Sequence, residues 1–386
     1  MISDEVKSVL SEGNADEQMV SNVIKKLHVK NPFDKLETID QSVRALKKHF
    51  QYVEPVKIKL GDRAEYFRNK DGEYVPKLFK DNYQYIPILE VIKVILFNAA
   101  IRDLVTSEQD AAEGFLEKYR NGEHFECHRF FIRNIFGLQL QIYYDDLEVV
   151  NALGSRTIVH KLGAFYFRIL NLPPYINSSL GGIHLFPLCN ANDLKKYSFG
   201  SRVLRPFIDD LKKLENGVPM QFQDEEDFVA GTLASVCGDG LAVHELFGLL
   251  GPQCKYFCRE CFITREDLLA GRLECEVFRN RQEYADCELL QQLKVNPCAA
   301  MKTATGLQDE CVLNESSYFH ITENHIFDAT HDLLEGISPY EVKLVLNRYV
   351  ADGLIDLDFL NGRIHSFAYG VTEIKNKPSA IITAAS

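Results

Sequence analysis

Two runs of β-type residues each lead towards aspartates. The first run, residues 138–144, leads into Asp145 and Asp146. The second run, residues 228–236, is followed closely by Asp239. Carboxylates at the ends of neighbouring strands can hold divalent metal ions, and such ions catalyse phosphoryl transfer on nucleic acid. The order of these residues therefore raises the hypothesis of a metal-dependent phosphoryl-transfer site.

Each of these aspartates also has an ordinary structural explanation. Asp145 and Asp146 could begin a turn, since Asp is favoured there. Asp239 precedes the apolar stretch 241–250 and could be the N-cap of a helix. Both roles could hold at once for Asp239. It is the pairing of the two strand ends, rather than either acid alone, that supports a metal site.

The string FCRECF places Cys258 and Cys261 at the spacing of zinc ligands. One Cys-x-x-Cys supplies half of a tetrahedral zinc site, so two further ligands are required. The candidates are Cys254, Cys275, Cys287, Cys298, Cys311, His320, His325 and His331. A thioredoxin-type motif is disfavoured because Arg259 and Glu260 do not stand in a strand-to-helix setting. Buried free thiols are the alternative to zinc.

A dense group of polar residues follows near the C-terminal end. Asp328, His331, Asp332 and Glu335 have the spacing that places side chains on one face of a helix. Leu333 and its apolar neighbours indicate that this helix packs against the core. A polar stripe in that position needs a metal ion or hydrogen-bond partners. A solvated helix face is the alternative.

The composition is that of an ordinary globular protein. The chain has 386 residues, 46% hydrophobic and 25% charged, which is long enough for two or three domains. No apolar run reaches the ~18 residues of a membrane span, so no membrane association is expected. Ten cysteines without a signal-peptide pattern predict reduced thiols in the nucleus or cytoplasm.

The net charge of −12 weighs against a free-standing nucleic-acid-binding module, which is usually basic. An enzyme that touches DNA through a local patch remains compatible with this charge.

The pattern predicts an α/β fold in three parts. Residues 1–125 are predicted to be mainly helical, with a polar, turn-marked stretch at 56–80 and helices at 39–46, 86–105 and 110–119. Residues 126–250 contain strand-like runs at 138–144, 157–166, 183–189 and 228–236, with an amphipathic helix at 203–214. Residues 251–386 are predicted to be an inserted, partly helical region with the Cys-x-x-Cys and Asp-x-x-His elements and a helix at 338–350.

Three antiparallel-looking strands, a helix and a fourth strand are the order of a ribonuclease H-like core. In that fold the first strand is central and the fourth lies beside it, so the acids that end these strands can meet. The expected fold is therefore a ribonuclease H-like core with an inserted region, behind an N-terminal helical region.

Five sequence strings resemble the catalytic region of eukaryotic DDE/D cut-and-paste transposases. They are IYYDDLEVVNALGSRTIVHKLGAFYFRILNLPP, LRPFIDDLKKLENGV, GTLASVCGDGLAVHELFG, FCREC and DATHDLLEG. The resemblance covers about residues 138–369 and is strongest to the CACTA (En/Spm-like) type and its animal relatives. It implies DNA recombination by metal-dependent strand cleavage and transfer. In that reaction, water or a DNA 3′-hydroxyl attacks a phosphodiester between two Mg²⁺ or Mn²⁺ ions.

The resemblance also implies roles for particular residues. Asp145, or its neighbour Asp146, matches the first catalytic acid, and Asp239 matches the second. Cys258 and Cys261 match zinc-type ligands of a structural site. The later acidic-His element corresponds to Asp328 and His331. The partner implied is DNA at transposon ends, and a homo-oligomer is compatible with the family.

One departure from the family concerns the third catalytic acid, usually a Glu on a later helix. In the relatives this Glu lies beyond the NKPS segment, whereas the sequence here ends at NKPSAIITAAS. Glu335 is the internal candidate, although it belongs to a different motif, and Thr330 replaces the family's Met before His331. We therefore expect a transposon-derived protein that does not complete the reaction.

Two other functional classes fit the same sequence. One is a non-enzymatic interaction protein that keeps the transposase fold as a binding platform. The other is an unrelated zinc-dependent enzyme in which the cysteine cluster carries the catalysis.

Overall fold

The computed structural model describes residues 36–107, 116, 118–149, 161–197, 201–222, 225–272, 274–275, 277–292, 299–370, 373 and 377–381. The chain divides into two compact units, residues 1–54 and 55–386. Most of the helix predicted at 110–119 lies outside the described residues, as does the beginning of the strand predicted at 157–166.

The first unit contributes helix α1, Ile39–His49. Thr38 caps it through a reciprocal pair of hydrogen bonds with Gln41, which satisfies free N–H groups at the helix start. This helix was predicted at 39–46 and is confirmed.

The second unit is built on a mixed six-stranded sheet in the order β1-β2-β5-β4-β3-β8. All neighbouring strands pair antiparallel except β3 and β8, which are parallel. A separate antiparallel pair joins β6 and β7. The strands are β1 Val56–Arg68, β2 Tyr74–Tyr85, β3 Leu138–Glu148, β4 Lys161–Ile169, β5 His184–Asn190, β6 Val218–Phe222, β7 Glu225–Val229 and β8 Gly231–Cys237.

Helices and short helical turns fill the connections. The α-helices are α2 Ile88–Leu96, α3 Ala99–Thr106, α4 Glu123–Cys127, α5 Pro174–Asn177, α6 Ala191–Lys196, α7 Arg205–Asn216, α8 Gly240–Leu246, α9 Arg265–Leu269, α10 Arg281–Gln292, α11 Ala299–Thr305, α12 Ser338–Ala351 and α13 Leu357–Ser366. The 3₁₀ turns are Tyr119–Asn121, Leu180–Gly182 and Val312–Glu315, and Ala329–Ile337 is a π-helix. The prediction of an α/β fold is confirmed.

The hairpin β1–β2 differs from the mainly helical character predicted for residues 1–125. Its strands are largely exposed, so they lack the regular apolar alternation that reveals a half-buried strand. Asp71-Gly72, taken from the sequence as a turn marker, lies in the connection between the two strands, where Gly72 has a φ of 86°. The hairpin reaches the rest of the sheet through β2, where Gln84 pairs with Leu188 of β5.

The main core lies between one face of the sheet and helices α2 and α7. Leu140 and Ile142 of β3 are fully buried there with Phe207 and Leu211 of α7. Phe186 of β5 contacts Phe207 with a ring-centroid distance of 4.9 Å. Because side chains alternate along a strand, the intervening residues of β3 face the opposite side of the sheet.

Helix α7, predicted at 203–214, ends at Asn216 and is followed by Gly217. Gly217 has a φ of 85°, in the left-handed region that favours glycine. A Cβ atom at this position would lie 1.9 Å from the ring of Phe228, so the turn also needs the absence of a side chain.

Residues 324–326 extend the sheet beyond β8. Val236 and His325 form a parallel bridge. The Val236 N–H donates to Asn324 O at 3.0 Å, and the Ile326 N–H donates to Val236 O at 3.1 Å. A third parallel segment therefore follows β3 and β8 at this edge.

None of the helices in the described part of the chain has the length and apolar character needed to cross a membrane.

Candidate active site

Asp145 and Asp146 lie within β3, where they pair with Ala164 and Gly163 of β4. The strand continues to Glu148, so the two acids do not begin a turn. The Tyr144 hydroxyl donates a hydrogen bond to Asp146 Oδ1. Asp145 points to the opposite side of the sheet from Asp146, because neighbouring side chains of a strand alternate. The alternation therefore gives the two aspartates different environments.

Asp239 lies directly after β8 and caps helix α8. Its Oδ1 accepts a hydrogen bond of 2.6 Å from the Ala242 N–H. The last pair in the parallel register is Tyr143 of β3 with Cys237 of β8. Asp145 lies two residues after Tyr143, and Asp239 lies two residues after Cys237. Neighbouring strands are about 4.8 Å apart, so the chain brings the two acids near each other where β3 and β8 pair, and the charge of Asp239 acts on the pKa of Asp145. The helix-cap alternative is confirmed, and it coexists with the strand-end position.

The electrostatics of Asp145 reflect this neighbourhood. Burial raises the pKa of its carboxyl above the usual range, and the charge of Asp239 adds to the increase. The backbone N–H of Asp146 donates to Asp145 Oδ1 at 2.8 Å and opposes the increase, as does the positive charge of His331. Asp145, Asp239 and His331 therefore share one electrostatic environment.

Asp328 begins the π-helix that follows the added segment 324–326. Its Oδ1 accepts from the Thr330 N–H at 2.9 Å, and its Oδ2 lies 2.7 Å from His331 Nδ1. This hydrogen bond is the main reason that the pKa of His331 is raised, and the charges of Glu335 and Asp239 contribute less. Burial acts to raise the pKa of Asp328, but the bonds from His331 and the backbone outweigh it and the net shift is downward.

The residues between the two cysteines hold the π-helix segment in place. The Arg259 guanidinium is buried and pairs with Asp332, with 3.0 Å between Nη2 and Oδ2. The carboxylate of Glu260 forms a hydrogen bond with Nε2 of the buried His325 ring. These two contacts tie the cysteine segment to the chain that carries Asp328 and His331. Neither contact was predicted from the residue spacing, although the sequence shows an oppositely charged pair inside the Cys-x-x-Cys.

Three thiols lie together around Cys261. The Glu260 N–H donates to Cys258 Sγ at 3.3 Å. Burial raises the pKa of Cys261 to about 12, and hydrogen bonding with the thiols of Cys258 and Cys275 adds to the rise. A short pairing of Cys261 with Phe278 brings the two parts of this segment together.

The other residues predicted as zinc ligands or acids have different neighbours. His320 is buried, with its Nδ1 2.8 Å from Thr322 Oγ1 and its ring against Tyr284. Burial lowers the pKa of His320 to about 4. His331 is engaged by Asp328 at the acid cluster. Glu335 is exposed on the π-helix.

Within the described ranges, no group of three or more His, Cys, Asp or Glu side chains is arranged to hold a metal ion. Two smaller groups are present among the described residues. Asp145 and Asp239 are neighbouring oxygen donors. Cys258, Cys261 and Cys275 are neighbouring thiols.

No known protein-family model matches this sequence, and no curated protein matches it significantly.

We expect the Asp328–His331 pair to be visible in a pH titration. The raised pKa of His331 means that this pair stabilises the fold fully below the ordinary histidine pKa of about 6.5 and loses its contribution as the pH rises through the raised value. In an NMR titration of the His331 ring, Asp328→Asn should lower its pKa. Asp352→Asn removes an exposed carboxylate that pairs with Arg348 and serves as the control, with no expected change. An unchanged His331 pKa in Asp328→Asn would contradict the pairing.

Proposed function

We propose that this chain carries a transposase-like active site on a ribonuclease H-like core. Its ancestral reaction is metal-dependent cleavage of DNA strands and their transfer. The observation that carries the proposal is the parallel pairing of β3 with β8, which brings Asp145 beside Asp239.

The strand order supports this proposal. Strands β3, β4 and β5 pair antiparallel in sequence, α7 follows, and β8 then pairs parallel with β3 on its other side. A ribonuclease H-like core has the same order, with its first strand central. The added parallel segment at His325 brings Asp328 towards the edge that carries the two acids.

The chemistry of the donors fits a hard divalent cation. Mg²⁺ and Mn²⁺ prefer carboxylate oxygens, and Asp145 and Asp239 supply them from adjacent strands. The helix cap uses one oxygen of Asp239, which leaves the other available. When bound, such an ion would stabilise the charge that develops on a phosphodiester during attack.

The protein groups around the two acids have separate tasks in this proposal. Asp145 and Asp239 would hold the cation, and β3 and the capped start of α8 keep the two carboxylates in place. Asp328 holds the proton on His331 Nδ1 and orients the ring beside them. Arg259 keeps the π-helix against this edge through Asp332.

We further propose that the reaction is not completed by this chain. Two carboxylates hold catalytic ions less firmly than three, and among the described acids Asp328 is engaged by His331 while Glu335 is exposed. We therefore expect this chain to bind a divalent metal ion but not to complete strand cleavage.

Metal binding is expected to depend on Asp145 and Asp239 but not on Asp146. We predict that Mn²⁺ affinity, measured by calorimetry, falls about 10-fold or more in Asp145→Asn and in Asp239→Asn. Asn caps helices as well as Asp does, so the second variant keeps α8. Asp146→Asn is the matched control, because its amide oxygen still accepts from Tyr144. Equal affinities in all three variants would show that the neighbouring carboxylates are not the site.

We predict that the purified chain does not nick supercoiled DNA in Mg²⁺ or Mn²⁺, as measured by conversion to the open-circular form. The physical reason is the incomplete set of carboxylate ligands. Robust nicking that Asp239→Ala abolishes would prove the incomplete-site proposal wrong while supporting the assignment of Asp239.

We also propose that the cysteine segment supplies part of the ligand set of a structural zinc ion, while the described residues by themselves do not form a complete metal-binding group. Cys258, Cys261 and Cys275 lie together, and the backbone N–H bond to Cys258 Sγ is of the kind that stabilises a metal-bound thiolate. The third thiol replaces the histidines that the sequence suggested, because His320 and His331 have other partners.

Elemental analysis tests this zinc proposal without any activity assay. We expect about one zinc ion per purified chain, lost in the Cys258→Ser/Cys261→Ser double variant and reduced in Cys275→Ser. Cys127→Ser, which changes an exposed thiol, is the control. Zinc that persists in the double variant, or its absence from the wild-type protein, would refute the site.

A second candidate function is that of a non-enzymatic binding platform, as a homo-oligomer or with another partner. The observation that favours it is the exposure of large apolar side chains on α12 and α13, among them Tyr340, Leu344 and Phe359. Failure of the chain to bind Mn²⁺ would favour this candidate over the active site.

A further inference from the structure

A groove lies on the sheet face opposite the α7 core, beside the acid cluster. Tyr143 of β3 and Tyr166 of β4 are directly paired across the two strands. The groove has a volume of about 460 Å³, and Ile183 and Leu180 form its apolar wall. Both tyrosines are partly buried, so their positions are fixed by packing. Two rings are thus presented together on one surface.

Hydrogen bonds connect two polar residues that line this groove to a third polar side chain. Arg168 Nε donates to Gln141 Oε1 at 2.6 Å, and Gln141 Nε2 donates to Ser235 Oγ at 2.8 Å. A second cavity of about 440 Å³ begins at the same two residues, Gln141 and Arg168, and is also lined by Lys118. The groove therefore continues along the sheet face past Arg168.

The Arg168 guanidinium is bound to a neutral amide and keeps its full positive charge. In the part of the chain covered by the structure, no carboxylate forms an ion pair with it. A partly buried cation beside two aromatic rings complements an anion that carries flat, apolar groups.

The groove and the acids are continuous. Asp145 follows Tyr143 by two residues on the same side of β3, which corresponds to about 7 Å along the strand. A polymer with one phosphate at Asp145 would therefore have its adjoining units beside the two rings.

We propose that this groove binds single-stranded DNA beside the phosphodiester that a cation on Asp145 and Asp239 would hold. Unpaired bases stack on Tyr143 and Tyr166, and Arg168 contacts the backbone phosphate. The bases of a duplex already stack on one another, so the two rings favour an unpaired strand. The inference takes its substrate class, DNA, from the proposed function. It assigns DNA binding to one local surface of a chain whose net charge is −12.

Fluorescence anisotropy with a labelled oligothymidine of about 12 nucleotides tests the groove. The full chain is titrated in EDTA. The chelator removes divalent metal ions, so the titration measures the affinity that the groove itself provides. We expect Arg168→Gln and Tyr166→Leu each to weaken binding about 5–10-fold, with Tyr166→Phe restoring the affinity because it keeps the ring. Arg168→Gln should also reduce the slope of affinity against salt by about 0.7.

Arg348→Gln is the matched control, since it removes an exposed arginine of α12 that pairs with Asp352. Its affinity should equal that of the wild type, and thermal melting should show that all variants remain folded. The proposal is overturned if the wild-type chain does not bind the oligonucleotide, or if Arg168→Gln and Tyr166→Leu bind as tightly as Arg348→Gln. Binding that depends on the groove without Mn²⁺ affinity would refute the metal site alone, whereas Mn²⁺ affinity without DNA binding would refute the groove alone.

Discussion

The parallel pairing of β3 with β8 is the constraint on which the site depends. Parallel strands end at the same edge of a sheet, so Asp145 and Asp239 meet there although they are far apart in sequence. The hydrogen bonds of Val236 to the segment around His325 add a third parallel element, and Asp328 follows it. The contacts of Arg259 and Glu260 connect the cysteine segment to the third of these segments and to the π-helix that follows it.

Grouped carboxylates repel one another and need positive charge nearby. His331 and Arg259 supply this positive charge. His331 contacts Asp328, and Arg259 contacts Asp332. A buried guanidinium without its carboxylate partner destabilises the fold. The Arg259–Asp332 pair therefore depends on the cysteine segment, which carries Arg259, keeping its structure. The cysteine segment and the acid cluster are therefore linked through Arg259 and Glu260, which contact Asp332 and His325.

The sequence predicted the elements with strong periodicity, including β3, β5, α7 and α12, and from their order it predicted that the two acids meet. It did not predict the hairpin β1–β2, because exposed strands lack a buried face that would impose alternation. The helix predicted at 86–105 is divided where Asn98 caps α3, a local competition that apolar spacing does not reveal. The contacts of Arg259 and Glu260 arise from tertiary packing, so residue spacing could only nominate the two cysteines beside them.

The central claim is that Asp145 and Asp239 form one cation site. Anomalous diffraction from crystals of the full chain soaked in Mn²⁺ tests it most directly, because it locates the ion without requiring catalysis. We expect an anomalous peak within coordination distance of a carboxylate oxygen of both residues. A Mn²⁺ peak bound elsewhere, with none between these two carboxylates, would contradict it.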